Sequence, residues 1–348
     1  MVPRLYIATN GLSVWYSDNL GDELTRTQTS KGMYSGTQAW GLACHPKNTG
    51  EVLCGTELGL FRFDPDSKVW SHVASPMDGK RLVTAIAYSP HDPNVVLAGT
   101  QTANLYRSED GGRTWRDLDL PMYESVALEF LGGGDANGNP RVRVERGKAS
   151  DPIKHWTRVC QISFDPDDPD FVCACVEIDD AWVSRDGGRT FTRSNGGLEA
   201  AAADVHGMVV VRNGKGRRLF ASTAFGLHRS DDDGGHWTFH KLDSPWQYTR
   251  SIVERPDRTG VMYLTNGSGS PGWQGKLFRS RDHGETWQDV KLPGAVQSSV
   301  YFLAVNKADP MLGFAAGSLG QLYRTTDGGE NWVELPRRLG EIRAIAWT

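Results

Sequence analysis

The chain has 348 residues, of which 39% are hydrophobic and 23% are charged, and these fractions exclude a disordered protein and a protein of membrane-spanning helices. The net charge of −4 is too small to favour nucleic acid or an anionic membrane as a partner. Forty glycines and 12 tryptophans favour short strands and tight turns over long helices.

Near the N-terminus, residues 5–17 predict two strands, and no apolar core of signal-peptide length precedes them. Five cysteines, an odd number, lie in apolar runs that predict strands: Cys44, Cys54, Cys160, Cys173 and Cys175. We therefore expect buried, reduced thiols in a cytoplasmic protein. Because the C-x-C pair at 173–175 has no second pair at metal-site spacing, and no nucleotide-binding motif occurs, we predict no metal and no cofactor.

An eight-residue pattern of the form S-x-D-x-G-x-T-W recurs along the chain. Near-complete copies occupy residues 108–115, 184–191 and 280–287, and looser copies occupy 230–237 and 325–332. In each copy the aspartate can accept hydrogen bonds from turn amides, the glycine can adopt a positive φ, and the aromatic residue can open the next strand. The pattern resembles the Asp-box, or BNR, repeat of sialidase-like β-propellers. That resemblance implies an all-β propeller whose repeat aspartates are structural, since the Asp-box turns of the family lie away from its active site.

Upstream of the repeats, apolar segments predict the innermost strands of successive propeller blades. These segments begin near residues 38, 82, 156, 203, 247 and 297. Residues 341–348 predict a seventh innermost strand with nothing after it, whereas residues 4–30 predict outer strands that lack an inner one. We therefore predict one domain over residues 1–348, a single seven-bladed β-propeller whose last blade joins the two chain ends without leaving an exposed edge.

One long segment, residues 123–153, does not fit the blade pattern. It contains a glycine-rich stretch and a basic run at 141–146, and it leads into the first strand of a blade. A connection of this length is more often functional or mobile than structural. We expect this insertion to lie near the mouth of the central channel, either as a lid or rim or as a plain mobile loop.

The starts of the seven innermost strands carry charged and aromatic residues where packing alone would favour valine, isoleucine, alanine or threonine. A guanidinium offers a rigid fork of donors to an anion, and aromatic rings offer a stacking surface. We predict that the following residues bind a ligand: Arg158, Arg250, Arg343, Trp40 and Tyr301. We predict that the following residues transfer protons: Asp204, Glu341, His206 and Tyr248.

Four acidic residues fall in the loops between the second and third strands of a blade: Glu57, Glu177, Asp179 and Asp180. We expect solvated carboxylates at these positions. For Asp179 and Asp180, a role as acid, base or metal ligand stays open.

Two functions fit this set of residues. The first is an enzyme of the glycosidase or lyase type that acts on an anionic or sugar-like small molecule at the channel mouth. Three arginines with carboxylates and a tyrosine resemble a sialidase site in composition, but the Arg-Ile-Pro motif and the six-blade count of sialidases are missing. The alternative is a non-catalytic scaffold or binding protein that assists assembly of another protein, like the seven-bladed propellers that assist photosystem assembly. An open polar pocket would favour the enzyme, and side chains that pair with one another would favour the scaffold.

Overall fold

The computed structural model describes residues 3–27, 32–48, 50–123, 125–134, 140–147, 155–198, 203–214 and 216–348. Across these ranges the chain forms strands β1 to β31 and no α-helix, so the predicted all-β class is confirmed. In the same ranges there is no helix with the length and apolar character needed to span a membrane.

Most strands pair antiparallel with their neighbours in sequence, which makes each sheet a meander. The first eleven are β1 (Leu5–Thr9), β2 (Val14–Ser17), β3 (Thr25–Arg26), β4 (Ala39–Cys44), β5 (Val52–Thr56), β6 (Gly59–Asp64), β7 (Val69–Val73), β8 (Leu82–Tyr88), β9 (Val96–Gln101), β10 (Leu105–Ser108) and β11 (Arg116–Asp117). The next seven are β12 (Ser125–Gly134), β13 (Pro140–Gly147), β14 (His155–Trp156), β15 (Arg158–Phe164), β16 (Val172–Glu177), β17 (Ala181–Ser184) and β18 (Thr192–Ser194). The last thirteen are β19 (Val205–Arg212), β20 (Arg217–Thr223), β21 (Gly226–Ser230), β22 (Thr238–His240), β23 (Tyr248–Glu254), β24 (Met262–Gly267), β25 (Gly275–Ser280), β26 (Gln288–Val290), β27 (Val300–Val305), β28 (Gly313–Gly317), β29 (Leu322–Thr325), β30 (Val333–Glu334) and β31 (Ile342–Trp347).

Four sheets consist of four consecutive strands: β4–β7, β19–β22, β23–β26 and β27–β30. Strands β8–β11 and β15–β18 have the same meander order and are joined into one eight-stranded sheet by the pair Gln101 and Arg158. A further four-stranded sheet has the order β3-β2-β1-β31, in which Leu5 lies opposite Trp347. The C-terminal strand is thus hydrogen-bonded to the N-terminal one.

The apolar core lies between neighbouring sheets. Leu53 and Leu60 of one sheet pack with Val96, Ala98 and Tyr106 of the next, and equivalent clusters fill the other spaces between sheets. The first strands of consecutive sheets contact one another in the order β4, β8, β15, β19, β23, β27 and β31, and β31 contacts β4. Because the apolar residues are used between the sheets, the starts of these first strands are free to carry polar side chains.

The recurring turn has the same geometry in its near-complete copies, as the first copy illustrates. The Asp110 carboxylate accepts hydrogen bonds from the amides of Arg113 and Thr114, each at 2.9 Å, and from the Ser108 hydroxyl at 2.7 Å. Gly111 and Gly112 have φ angles of 73° and 82°, which few other residues adopt without strain. Burial by itself would raise the pKa of Asp110, but these hydrogen bonds lower it to about 2. The aspartate therefore organises the turn.

The insertion forms a separate three-stranded sheet with the order β13-β12-β14. A single residue separates the end of β14 from the start of β15, so the insertion leads directly into a first strand. Residues 124, 135–139 and 148–154 of the predicted insertion lie outside the described residues. Its predicted role as a lid or rim stays a prediction.

Candidate functional site

The candidate site is a cavity of about 80 Å³ near the beginning of the first strands. The lining residues come from β4, β8, β15, β19, β23, β27 and β31: Trp40, Thr84, Arg158, Val159, Cys160, Gln161, His206, Arg250, Ser251, Tyr301, Phe302 and Arg343. Cavities that hold drug-sized ligands usually measure about 300–1,000 Å³. The enclosed space at the arginines is therefore small, and a carboxylate fits within it.

A β-bulge in every first strand brings these side chains to the cavity. In each first strand, the register of pairing with the neighbouring strand of the same sheet shifts at one place. The first strand has an extra residue there, which is not directly opposite a residue of the neighbouring strand. The residues at these positions are Trp40, Thr84, Cys160, His206, Arg250, Tyr301 and Arg343, and all of them line the cavity. The backbone therefore delivers one such side chain from each sheet, and the sequence decides its chemistry.

Glu177 binds two of the arginines. It lies opposite Arg158 in the β15–β16 pair, and the two side chains form a bidentate ion pair with distances of 2.5 Å (Nε to Oε2) and 2.9 Å (Nη2 to Oε1). Arg250 Nη1 reaches the same Oε1 atom at 3.4 Å. The expectation of a solvated loop carboxylate at Glu177 is wrong, because this side chain is only 19% exposed and lies against two buried guanidinium groups.

Asp204 and His206 form a second pair at the cavity. His206 Nδ1 lies 2.8 Å from the Thr249 carbonyl oxygen, and Nε2 lies 3.2 Å from Asp204 Oδ1. Burial would raise the pKa of Asp204, but the nearby His206 and the charges of Arg250 and Arg158 lower it. Asp204 Oδ1 itself is buried without a hydrogen-bond partner among the described residues. Asp204 therefore lies against His206 and the arginines as an acidic neighbour.

The two tyrosines and Arg250 form a third group. The Arg250 Nη1 atom lies 3.3 Å from the Tyr248 hydroxyl, which lies 3.3 Å from the Tyr301 hydroxyl. The Arg250 guanidinium also lies 4.9 Å from the centre of the Tyr301 ring. Burial raises the pKa of Tyr248 far above its usual range. The Tyr248 hydroxyl thus accepts from Arg250 and donates to Tyr301, and its predicted role in proton transfer stays a prediction.

Arg343 and Trp40 complete the cavity wall. The Arg343 guanidinium lies 3.8 Å from the centre of the Trp40 ring, and that of Arg158 lies 5.0 Å from the same ring. Burial lowers the pKa of Arg343, and the positive charges of Arg158 and Arg250 lower it further, against the opposing effect of Glu341. Arg343 pairs through Nη2 with the Glu341 carboxylate, which is 41% exposed and also accepts a hydrogen bond from the side-chain Nδ2 of Asn10 at 2.7 Å.

Two donors of this wall have no acceptor among the described residues: Arg343 Nε and the indole nitrogen of Trp40. Both are buried, and a buried donor without an acceptor costs about 1–3 kcal/mol. Together with the positive field acting on Arg343, these donors fit an anion that is bound here as a ligand.

One group of possible metal ligands lies at the same place. Ligand atoms of Glu177, Asp204 and His206 lie within 4.8 Å of one another. Because Arg158 and Arg250 already bind Glu177, a divalent cation would have to displace or face two guanidinium groups. The chemistry of the site therefore favours an anion over a metal ion, and the predicted lack of a metal stays a prediction.

The structure brings all nine predicted site residues into one region. The residues that line the cavity are Trp40, Arg158, His206, Arg250, Tyr301 and Arg343. Asp204, Tyr248 and Glu341 lie behind or beside them and contact a lining residue. Glu177 was not among the predicted site residues, because only the register of the β15–β16 pair sets it opposite Arg158.

The expectation of solvated carboxylates is also wrong for Asp179 and Asp180. The two residues are 0% and 1% exposed, respectively. Asp179 accepts a hydrogen bond from the Tyr123 amide at 3.0 Å and forms an ion pair with Arg193 at 2.9 Å. These contacts tie the insertion to the turn after β16, so the carboxylate of Asp179 has a structural explanation.

Comparisons with known proteins give one curated relative, and no family model matches the chain. The relative is the photosystem II stability/assembly factor HCF136, chloroplastic, of Arabidopsis thaliana, which is 26% identical over 333 residues, covering 76% of this chain and 81% of that protein.

The fold is similar to that of several solved structures. The GH74 enzyme of Niastella koreensis has a TM-score of 0.62 and 16% identity, but the match covers 85% of this chain and only 45% of that one. YCF48 from Cyanidioschyzon merolae has a TM-score of 0.54 and 14% identity over 86% of this chain and 85% of that one. A structure of YCF48 bound to D1 peptide has a TM-score of 0.52 and 13% identity over 86% and 82%. These similarities support an all-β, propeller-like fold.

Proposed function

We propose that the protein is a non-catalytic, seven-bladed β-propeller that binds a carboxylate-bearing segment of another protein and assists its assembly. The proposed blades are the seven four-strand meanders, and the β1–β31 pairing would close the ring. The closed order of contacts between first strands supports this arrangement. The five free cysteines fit the cytoplasmic location predicted from the sequence.

The main support for this proposal is that the charged side chains at the cavity pair with one another. Glu177 binds Arg158 and Arg250, Asp204 binds His206, and Glu341 binds Arg343. A glycosidase needs an acid and a second carboxylate placed on opposite sides of a sugar. Here each carboxylate lies against a basic side chain, and the enclosed space beside them is small. This arrangement supports the scaffold that the sequence offered as the alternative.

A protein partner is supported by the similarity to HCF136, which extends over three quarters of the chain. HCF136 is a photosystem II stability/assembly factor, and YCF48 has been seen with D1 peptide. The GH74 enzymes share the fold alone, because their identity is well below the level at which activity can be transferred. A polypeptide segment therefore has more support than the small molecule predicted from the sequence.

The acceptor that would satisfy Arg343 Nε and the Trp40 indole defines the chemistry of that segment. A carboxylate fits the volume of the cavity and the donor forks of the arginines. The three arginines and three carboxylates of the site balance in charge, so the two donors that lack an acceptor give the site its preference for an incoming carboxylate.

The test uses two pools of fluorescein-labelled 12-residue peptides, one rich in Asp and Glu and one with Asn and Gln in their places. We expect fluorescence anisotropy to show at least tenfold tighter binding of the acidic pool by the wild-type protein. The Arg343→Gln variant should lose that preference, whereas Arg281→Gln, which alters an exposed arginine outside the site, should keep it. Equal binding of the two pools would contradict the proposal. Hydrolysis of 4-nitrophenyl glycosides that disappears in Asp204→Asn would establish the enzyme in its place.

A further inference from the structure

The most exposed apolar side chains of the described chain are concentrated at one end of the sheets. Six of the nine adjoin the starts of the first strands, five of them in loops and Trp156 in the short strand β14: Leu12, Tyr34, Leu58, Trp156, Trp273 and Leu319. We call these six residues the apolar rim. The other three lie elsewhere, in the insertion, in the loop after β27 and on β30: Leu131, Met311 and Val333.

The strand pairing places the rim beside the cavity. Each second strand runs antiparallel to its first strand, so it ends level with the start of that strand, as Thr56 pairs with Ala39 and Gly317 with Val300. The loops that carry Leu58 and Leu319 follow directly. Exposed apolar side chains and buried arginines therefore lie at the same end of the molecule.

Parts of the rim are continuous with the cavity wall. The Leu339 amide donates to the Gly320 carbonyl at 3.3 Å, next to Leu319. A Cβ atom added to Gly340 would lie 3.1 Å from Leu12 Cδ1. The following residue is Glu341, which binds the cavity arginine Arg343. Leu12 and Leu319 thus flank the approach to the arginine site.

Trp273 is the most exposed member of the rim, at 70%. Its loop is nevertheless held by hydrogen bonds, since the Ser268 hydroxyl accepts from the Trp273 amide at 2.9 Å and the Ser299 amide donates to the Pro271 carbonyl at 2.9 Å. Ser299 also donates through its hydroxyl to the Gly269 carbonyl at 2.6 Å. The loop adjoins the site, because Gly267 pairs with Tyr248. The exposed indole of Trp273 adds nothing to the apolar core. Because hydrogen bonds already fix its loop, less conformational entropy would be lost when a partner binds to it.

We infer that the apolar rim is a docking surface for an extended partner segment with aliphatic or aromatic residues on both sides of an acidic residue. Tryptophan and arginine are the side chains that most often dominate protein interfaces, and exposed apolar patches mark such surfaces. The acidic residue of the segment enters the arginine cavity, and its apolar neighbours pack on Trp273, Leu319 and Leu12, which lie in loops of three consecutive sheets; the Ser318 hydroxyl beside Leu319 donates to the Pro271 carbonyl in the Trp273 loop at 3.2 Å. The buried donors Arg343 Nε and Trp40 Nε1, which have no acceptor among the described residues, select an acidic occupant over a neutral apolar one. The inference rests on the proposed function and adds the sequence character of the partner.

The test uses two further pools of labelled peptides that share a central Asp-Glu pair and differ in their flanks. One pool has Leu, Phe and Ala in the flanks, and the other has Ser, Asn and Gln. We expect wild-type protein to bind the apolar-flanked pool at least tenfold more tightly. Trp273→Ser should lose most of this difference, whereas Met311→Ser, an exposed apolar residue outside the rim, should retain it. Both substitutions are at exposed positions, so neither variant should fail to fold.

Several outcomes would overturn the inference. Equal affinity for the two pools, or an unchanged difference in Trp273→Ser, would refute the rim. A dimer in sedimentation velocity that Trp273→Ser converts to a monomer would make the rim a contact between copies of this chain. Flotation with phosphatidylcholine–phosphatidylglycerol vesicles that Trp273→Ser abolishes would make it a lipid contact. Loss of the acidic preference with the apolar preference intact would refute the anion site and leave the rim standing, so failures of the two proposals are distinguishable.

Discussion

Replacing Glu177 by glutamine separates stability from anion binding at the site. The wild-type carboxylate binds Arg158 in a bidentate pair and also contacts Arg250, and the three side chains are 19%, 13% and 9% exposed. Breaking a buried ion pair from one side typically costs about 3–5 kcal/mol, because the remaining charge is left unpaired. Since these groups keep some contact with water, we expect a loss of about 2–4 kcal/mol in the free energy of unfolding.

The loss is measured by urea unfolding followed through tryptophan fluorescence. Glu57→Gln is the matched control, because Glu57 follows β5 but accepts its hydrogen bonds from neutral groups, Tyr34 and the Gln38 amide. The control should lose about 1 kcal/mol or less. In the double variant with Arg158→Gln, the losses should add up to less than the sum of the single losses, as expected for groups in contact.

The same substitution should strengthen anion binding. Removal of a negative charge leaves Arg158 and Arg250 with donors to offer, so acetate should raise the melting temperature of Glu177→Gln more than that of Glu57→Gln. If the two variants lose the same stability and respond equally to acetate, then Glu177 does not hold the arginines, and the account of the site given above is wrong.

Three further predictions concern the rest of the chain. Burial raises the pKa of Glu254 from 4.5 to about 7, so the folded protein holds this proton more tightly than the unfolded chain does. The resulting contribution to the free energy of unfolding is fully present below pH 4.5 and is lost as the pH rises through 7. In urea unfolding, Glu254→Gln should therefore match the wild type near pH 4 and exceed it by up to about 3 kcal/mol at pH 8; equal stability at both pH values would contradict this. Asp110→Ala should cost about 1–2 kcal/mol of stability, because four donors lose their acceptor, and should leave peptide binding unchanged; weaker binding at unchanged stability would show that the turn is functional. Deletion of residues 341–348 should expose the edge of β1 and cause aggregation in size-exclusion chromatography, and a monomeric product with an unchanged melting curve would refute the closure.

The fold class and the location of the site follow from the repeated turn in the sequence. The turn recurs at a fixed place in five of the seven four-strand units, so it marks where the next strands must begin, and the strand starts can then be compared with one another. Arginines at such starts, as at 158 and 343, stand out because a packed strand would carry valine or isoleucine there. Comparing positions between repeats therefore finds the side chains that meet at the cavity, even though they are far apart in the chain.

The role of Glu177 could not be read in the same way, because it depends on pairing between strands. The register of β15 and β16 shifts between Val159 and Gln161, and only that shift sets Arg158 opposite Glu177. The burial of Asp179 and Asp180 depends on a tight turn in which Ile178 and Asp180 have φ angles of 64° and 70°. Such conformations are uncommon for residues other than glycine, so the sequence gives little sign of them.

The repeated bulge explains why one fold can serve both enzymes and binding proteins. A bulge in every first strand turns one side chain from each sheet toward the cavity, whatever that side chain is. Function is then decided by whether those side chains stay apart around an open space or satisfy one another. In this chain, Glu177 comes from a second strand and holds two of the arginines. A residue outside the first strands thus decides whether these arginines can bind another group, and this is why Glu177 is the first position to change.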